Sequence, residues 1–163
     1  MKFVPSLGSR NLSLHFVYHE KDHAVTSVPC VEGIGLSLGV NDVQIELAED
    51  GKFASVWGYC PRQSWRDIQL TVPFAEAGVI RVVTEKPMIP GITVRLEPRW
   101  WPVAFCASSS WLCLGDHQGT DTTFSIEFAP GAIVTGREEN IVALWIHIDR
   151  FCDNEGRTSQ NPQ

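Results

Sequence analysis

The sequence is poor in lysine, in charge generally and in unbroken apolar runs. Only four of the 163 residues are lysine, and thirteen basic side chains face nineteen acidic ones, a formal net charge of -6. Phosphate neutralisation needs a concentrated basic patch, so this balance argues against a nucleic-acid partner. The longest uncharged run, 100–115, is interrupted by Pro102 and by Ser108, Ser109 and Ser110. It is too short and too broken to cross ~30 Å of hydrocarbon, and no membrane partner is expected. The start carries Pro5 and a polar break from Gly8 to Asn11, leaving no room for the apolar stretch of a signal peptide. The cysteines, Cys30, Cys60, Cys106, Cys113 and Cys152, are odd in number and contain no CxxC pair. Reduced thiols, a cytoplasmic location and no cofactor are the expectation.

What is present is enough to build a core: 44% of residues are hydrophobic and 20% charged. Apolar side chains recur at every second position. Leu12, Leu14, Phe16 and Tyr18 alternate with Ser13, His15, Val17 and His19, and Ile92, Val94 and Leu96, and Phe124, Ile126 and Phe128, with polar neighbours. Each is the pattern of a strand with one face on a core and one in water. Val79–Val83 and Val142–Ile148 carry apolar residues on both faces and are expected to be central strands. The fold class is therefore all-β: a single-domain antiparallel sandwich or barrel of about ten strands with little helix. The expected strands are 12–18, 24–30, 34–40, 43–48, 52–59, 67–72, 78–84, 91–97, 101–113 as one or two strands, 121–128 and 140–149. Residues 1–10 form an N-terminal lead-in, 11–152 the domain, and 153–163 a disordered polar tail.

Asp50-Gly51, between VQIELA and KFASVWGY, is a hairpin signal with two competing registers. A two-residue turn sets Gln44 opposite Trp57. A three-residue loop with a bulge at Gly51 sets Leu47 opposite Phe53 and Val43 opposite Trp57. The second gathers the large apolar side chains on one face and is favoured, which makes Trp57 a core residue.

Several residue sets invite chemistry. His15, His19 and His23 recur every four residues. On a strand His15 and His19 stand about 13 Å apart, too far for one ion, so His19 and His23 across a hairpin neck are the only candidate metal pair. Cys113, Asp116 and His117 could supply a nucleophile, an orienting carboxylate and a base for a small cysteine hydrolase. Gly33, Gly35 and Gly39 lack the lysine of a phosphate-binding loop and fit bulges or tight strand packing instead.

The compositional oddity is six tryptophans. Trp100 and Trp101 are adjacent, so in a strand only one can enter a given core. Trp65 lies in a polar loop, CPRQSWRD, after Tyr59. Aromatics beside arginine are favoured at protein interfaces, which nominates Tyr59, Arg62, Trp65, Arg66, Arg99, Trp100 and Trp101 as a binding surface. In size, acidity and lack of catalytic motifs the chain resembles small bacterial immunity or inhibitor proteins, a resemblance of composition. It implies a non-enzymatic domain that docks on another protein, a basic one by charge. The alternatives are the cysteine or metal hydrolase above and a sandwich that binds a sugar or other small ligand. Uncovered edge strands could also pair two copies into a homodimer.

Overall fold

The computed structural model describes residues 1–10, 13–31 and 35–153. Of these, 55% are in strands and 2% in helix, the latter a single 3-10 turn at Arg62–Ser64. No helix among the described residues is long and apolar enough to cross a membrane. The strands are β1 (Lys2–Leu7), β2 (His15–His19), β3 (Ala24–Val28), β4 (Leu36–Val40), β5 (Val43–Leu47), β6 (Phe53–Tyr59), β7 (Trp65–Asp67), β8 (Glu76–Val83), β9 (Thr93–Arg95), β10 (Val103–Cys106), β11 (Trp111–Gly115), β12 (Phe124–Ala129), β13 (Ala132–Arg137) and β14 (Asn140–Cys152).

They join in one curled mixed sheet of fourteen strands, which corrects the expected antiparallel sandwich or barrel of ten. Four pairings are parallel: β7 with β10, β8 with β12, β14 with β2, and β4 with β9. All four join strands far apart in sequence, whereas hairpins can only be antiparallel. Strand direction leaves no mark on a period-two pattern, so alternation could not reveal it.

The thirteen residues of β14 organise the sheet. One edge pairs with β13. The other pairs first with β11, through Trp111↔His147 to Gly115↔Ala143, and then with β2, through Phe16↔Ile148 to His19↔Cys152. One strand thus belongs to two sheet halves, β8-β12-β13-β14-β11-β10-β7 and β14-β2-β3-β6-β5-β4-β9. Their inner faces enclose one core containing Phe16, Tyr18, Leu38, Ile45, Leu47, Ile80, Leu112, Leu114, Leu144, Ile146 and Ile148, each at most 2% exposed. At the far side the turn after β5 approaches β8, where Lys52 bridges Arg81 and the Val82 N–H donates to the Gly51 carbonyl at 2.9 Å.

β14 is apolar on both faces because both are covered. Leu144 and Ile146 face the main core, while Ala143 and Trp145 join Cys113 and Ile133 in a second cluster on the outer face. Leu70, Val72 and Ala75, from the connection between β7 and β8, lie over that cluster. The expected strand 67–72 is therefore β7 followed by a strap. The strap's start is held by the Ile68 N–H donating to the Phe105 carbonyl at 3.0 Å, and its end runs into β8. Val79–Val83 differs from β14: Ile80 and Val82 are buried, but Arg81 and Val83 face solvent.

Three further expectations are corrected. The lead-in 1–10 holds β1, paired along its length with β8. Residues 132–137, expected to be a connection, form β13. The hairpin after β5 combines both registers: Leu47 faces Phe53 next to the turn, then a bulge shifts the ladder so that Glu46 faces Ser55 and Gln44 faces Trp57. Trp57 consequently points outward, 42% exposed, instead of entering the core. The expected disordered tail 153–163 lies, beyond Asp153, outside the described residues.

Candidate functional site

The outer face of β9-β4-β5-β6 carries a row of side chains whose order follows from the register. Trp57 pairs with Gln44, Gln44 with Gly39, and Gly39 with Arg95. Val43, Ile45, Leu38 and Val40 point the other way into the core, so alternation sends Gln44, Gly39 and Arg95 outward. With strands ~4.8 Å apart, Trp57 and Arg95 stand about 14 Å from each other. Gly39 is buried between them, with the Thr93 and Arg95 side chains packed over it. Trp100, 60% exposed, lies under the Arg95 guanidinium, whose carbon is 5.9 Å from the indole centroid. Tyr59, 49% exposed, extends the aromatic surface beyond Trp57 on the same face of β6.

Hydrogen bonds between side chains fix this face. The Thr93 hydroxyl donates to the Gln44 carboxamide oxygen at 3.2 Å and lies 2.8 Å from the Ser37 hydroxyl. The Ser55 hydroxyl donates to Glu46 at 2.8 Å. Arg95 is held by the Asn41 carbonyl and by Asp42, 3.6 Å away. Few side chains would need ordering if a partner bound, which favours affinity.

The residues proposed from sequence as a binding surface separate into two groups. Tyr59 and Trp100 belong to the exposed face just described, and Arg99 is exposed next to Trp100. Trp101 is 4% exposed; its backbone N–H donates to the Asn41 side-chain oxygen at 2.7 Å while the Asn41 amide donates to the Trp101 carbonyl at 2.9 Å. Adjacent positions thus point opposite ways, and Trp101 is a core residue, not a docking one. Trp65 is also corrected from surface anchor to core edge. Its ring centroid lies 4.8 Å from that of Tyr18 and 4.9 Å from that of Phe105, and its N–H donates to the Cys60 sulfur at 3.3 Å. Arg62 covers this cluster, 5.5 Å over Trp65 and 5.2 Å over Phe151, and pairs with Glu20 at 2.6 Å. Arg66 is exposed on β7.

The chemical constellations do not assemble. Cys113 is 0% exposed among Ile133, Ala143 and Trp145, and burial, then the Asp116 charge, pushes its thiol upward. A thiol so placed is inert. Asp116 accepts from the Gln118 and Gly119 N–H groups at 3.1 and 3.3 Å, the task of a turn residue. His117 makes no hydrogen bond to either among the described residues. His19 pairs in the ladder with Ala24, not across a neck with His23, and its Nε2 lies 2.9 Å from the Thr26 hydroxyl. His23 turns against the Tyr59 ring. Among the described residues no group of three or more His, Cys, Asp or Glu side chains could hold a metal.

The remaining titratable groups set the pH response of the fold. Burial raises Cys60 to about 11 and Tyr18 to about 12. Cys106 moves the other way, to about 6, because the Ser108 hydroxyl, the Ser109 hydroxyl and the Leu70 N–H all favour its thiolate. The raised groups keep their protons in the folded chain after the unfolded chain has released them, so stability falls as pH rises from about 9 towards 12. Cys106 adds stability that grows from about pH 6 to 9 and is lost as pH falls through 6. Urea midpoints measured across this range should rise and then fall, and Cys106→Ser should flatten the rising limb alone.

No protein-family model matches this sequence, and no curated protein is significantly similar to it.

Proposed function

We propose that the chain is a non-enzymatic cytoplasmic protein-binding domain of the immunity or inhibitor type, docking on a basic partner through the face that carries Trp57, Tyr59 and Trp100. The observation that carries this reading is the exposure of three large aromatics on one hydrogen-bonded sheet surface. Exposed tryptophan and tyrosine supply contact area with little rotamer freedom to lose, and such residues dominate interface energetics. The span of about 14 Å from Trp57 to the Arg95–Trp100 pair, bridged by Gln44 and Thr93, suits one extended segment or loop of a partner laid across the face. The net charge of -6 steers a basic partner towards the domain.

The double variant Trp57→Ala/Trp100→Ala should fold as the parent does, since both rings are substantially exposed. It should lose roughly 100-fold in affinity for a basic protein that the parent retains from host lysate. Association of the parent should slow as salt rises. Equal retention by parent and double variant refutes the proposed surface, and a salt-independent association rate refutes the electrostatic part.

A further inference from the structure

Away from the docking face, the strap and the sheet it crosses leave an open cleft of about 670 Å³. On its sheet side, Ser125, Thr135 and Trp145 come from three adjacent strands. Ser125 and Thr135 are directly opposite across β12 and β13, and Trp145 pairs with Ile133, one step along the same face. All three line the cleft. The Ser125 and Thr135 hydroxyls and the Trp145 indole N–H are buried and have no hydrogen-bond partner among the described residues. Thr135 is 2% exposed and Trp145 1%.

Unpartnered buried polar groups cost about 1–3 kcal/mol each, and three on one face of a cleft call for a ligand that satisfies them. The indole N–H can only donate and so requires an acceptor, whereas the two hydroxyls can do both. Across the cleft the strap offers Gln69 and Thr71, and Phe74, 87% exposed, stands at the mouth. Among the described residues neither lysine, arginine, aspartate nor glutamate lines it, and His117 is its one ionisable side chain. An ionic ligand would therefore lose its hydration with no permanent counter-charge and only the His117 imidazole to meet it. Many hydroxyl and carboxamide groups, an indole donor, an aromatic ring at the rim and no fixed charge are complementary to a neutral polyol. We infer that this cleft is a binding site for a neutral sugar, formed by Ser125, Thr135 and Trp145 beneath the strap and independent of the docking face.

The test uses the intact chain with calorimetry and tryptophan fluorescence, since Trp145 reports on the site. The probes are glucose, galactose, mannose and N-acetylglucosamine, their methyl glycosides as mimics of a glycan end, and glucuronate as a charged control. At concentrations up to about 50 mM, above the millimolar constants of weak recognition, at least one neutral probe should bind saturably. Trp145→Phe and Thr135→Val should each weaken it by roughly tenfold or more, and glucuronate should bind at least about tenfold more weakly than glucose. Preference for the methyl glycosides identifies a glycan end, and equal affinity a free sugar. Thr135→Val should melt no lower than the parent, because the hydroxyl it removes has no partner to lose. No saturable binding by any neutral probe, unchanged affinity in both variants, or a clear drop in the melting temperature of Thr135→Val overturns the assignment.

Discussion

Leu144→Pro is expected to leave the chain unfolded, with a far-ultraviolet circular dichroism spectrum of coil. Leu144 is 0% exposed at the middle of β14 and is flanked on both sides, by Leu114 and by Val134. Proline would remove a ladder hydrogen bond and clash in a strand that has no free edge at this point. Leu144→Ala separates the packing contribution from the backbone one. It keeps the hydrogen bonds and removes only the side chain between the sheet halves, so the fold should survive with a loss of about 2–5 kcal/mol in a urea titration. A proline variant that folds would show that β14 does not join the two halves.

The second large effect is expected at Gly115, where β11 ends. Its φ is +114°, and a Cβ would lie 2.3 Å from the Val142 carbonyl oxygen and 2.6 Å from the Trp101 ring. The indole of Trp101 occupies the space a side chain would need. Gly115→Ala should therefore destabilise the fold by about 3 kcal/mol or more, combining backbone strain with steric overlap. Adding Trp101→Leu should relieve only the overlap with the ring, because the carbonyl contact and the positive φ remain. Full recovery in that double variant would show that the ring alone makes glycine necessary here.

Alternation identified most strands because it reports one-sided burial, which is a local property. It failed where burial or pairing depends on distant chain. In β1 only Phe3 is buried, and Pro5 is tolerated because β1 ends the strand order and needs no second ladder. β13 was hidden by Pro130-Gly131, which is a tight turn between two strands, and by Gly136, a weak strand former that the Phe124 ring covers from across the ladder. Trp65 reads as a loop residue because its burial depends on Phe105 and on the extension of β14 past Asp149 to bring Phe151 nearby.

The proposed docking face was half legible. The neighbouring tryptophans had to diverge, and they do, but Trp57 was misplaced by a bulge that no nearby residue announces. Arg95 and Gln44 went unnoticed because their importance lies only in which strands stand next to β6. The cleft was less legible still. Ser125 and Thr135 are ordinary strand residues, distinguished only by having no partner under the strap.

β14 is later in sequence than every strand it touches, and its partner β2 lies near the other end of the described chain. During synthesis the earlier hairpins can emerge and close one by one. Neither half has its shared edge until residues 140–152 leave the ribosome, so the nascent chain carries open strand edges until that segment emerges. Those edges are the surfaces that chaperones and neighbouring nascent chains would meet first.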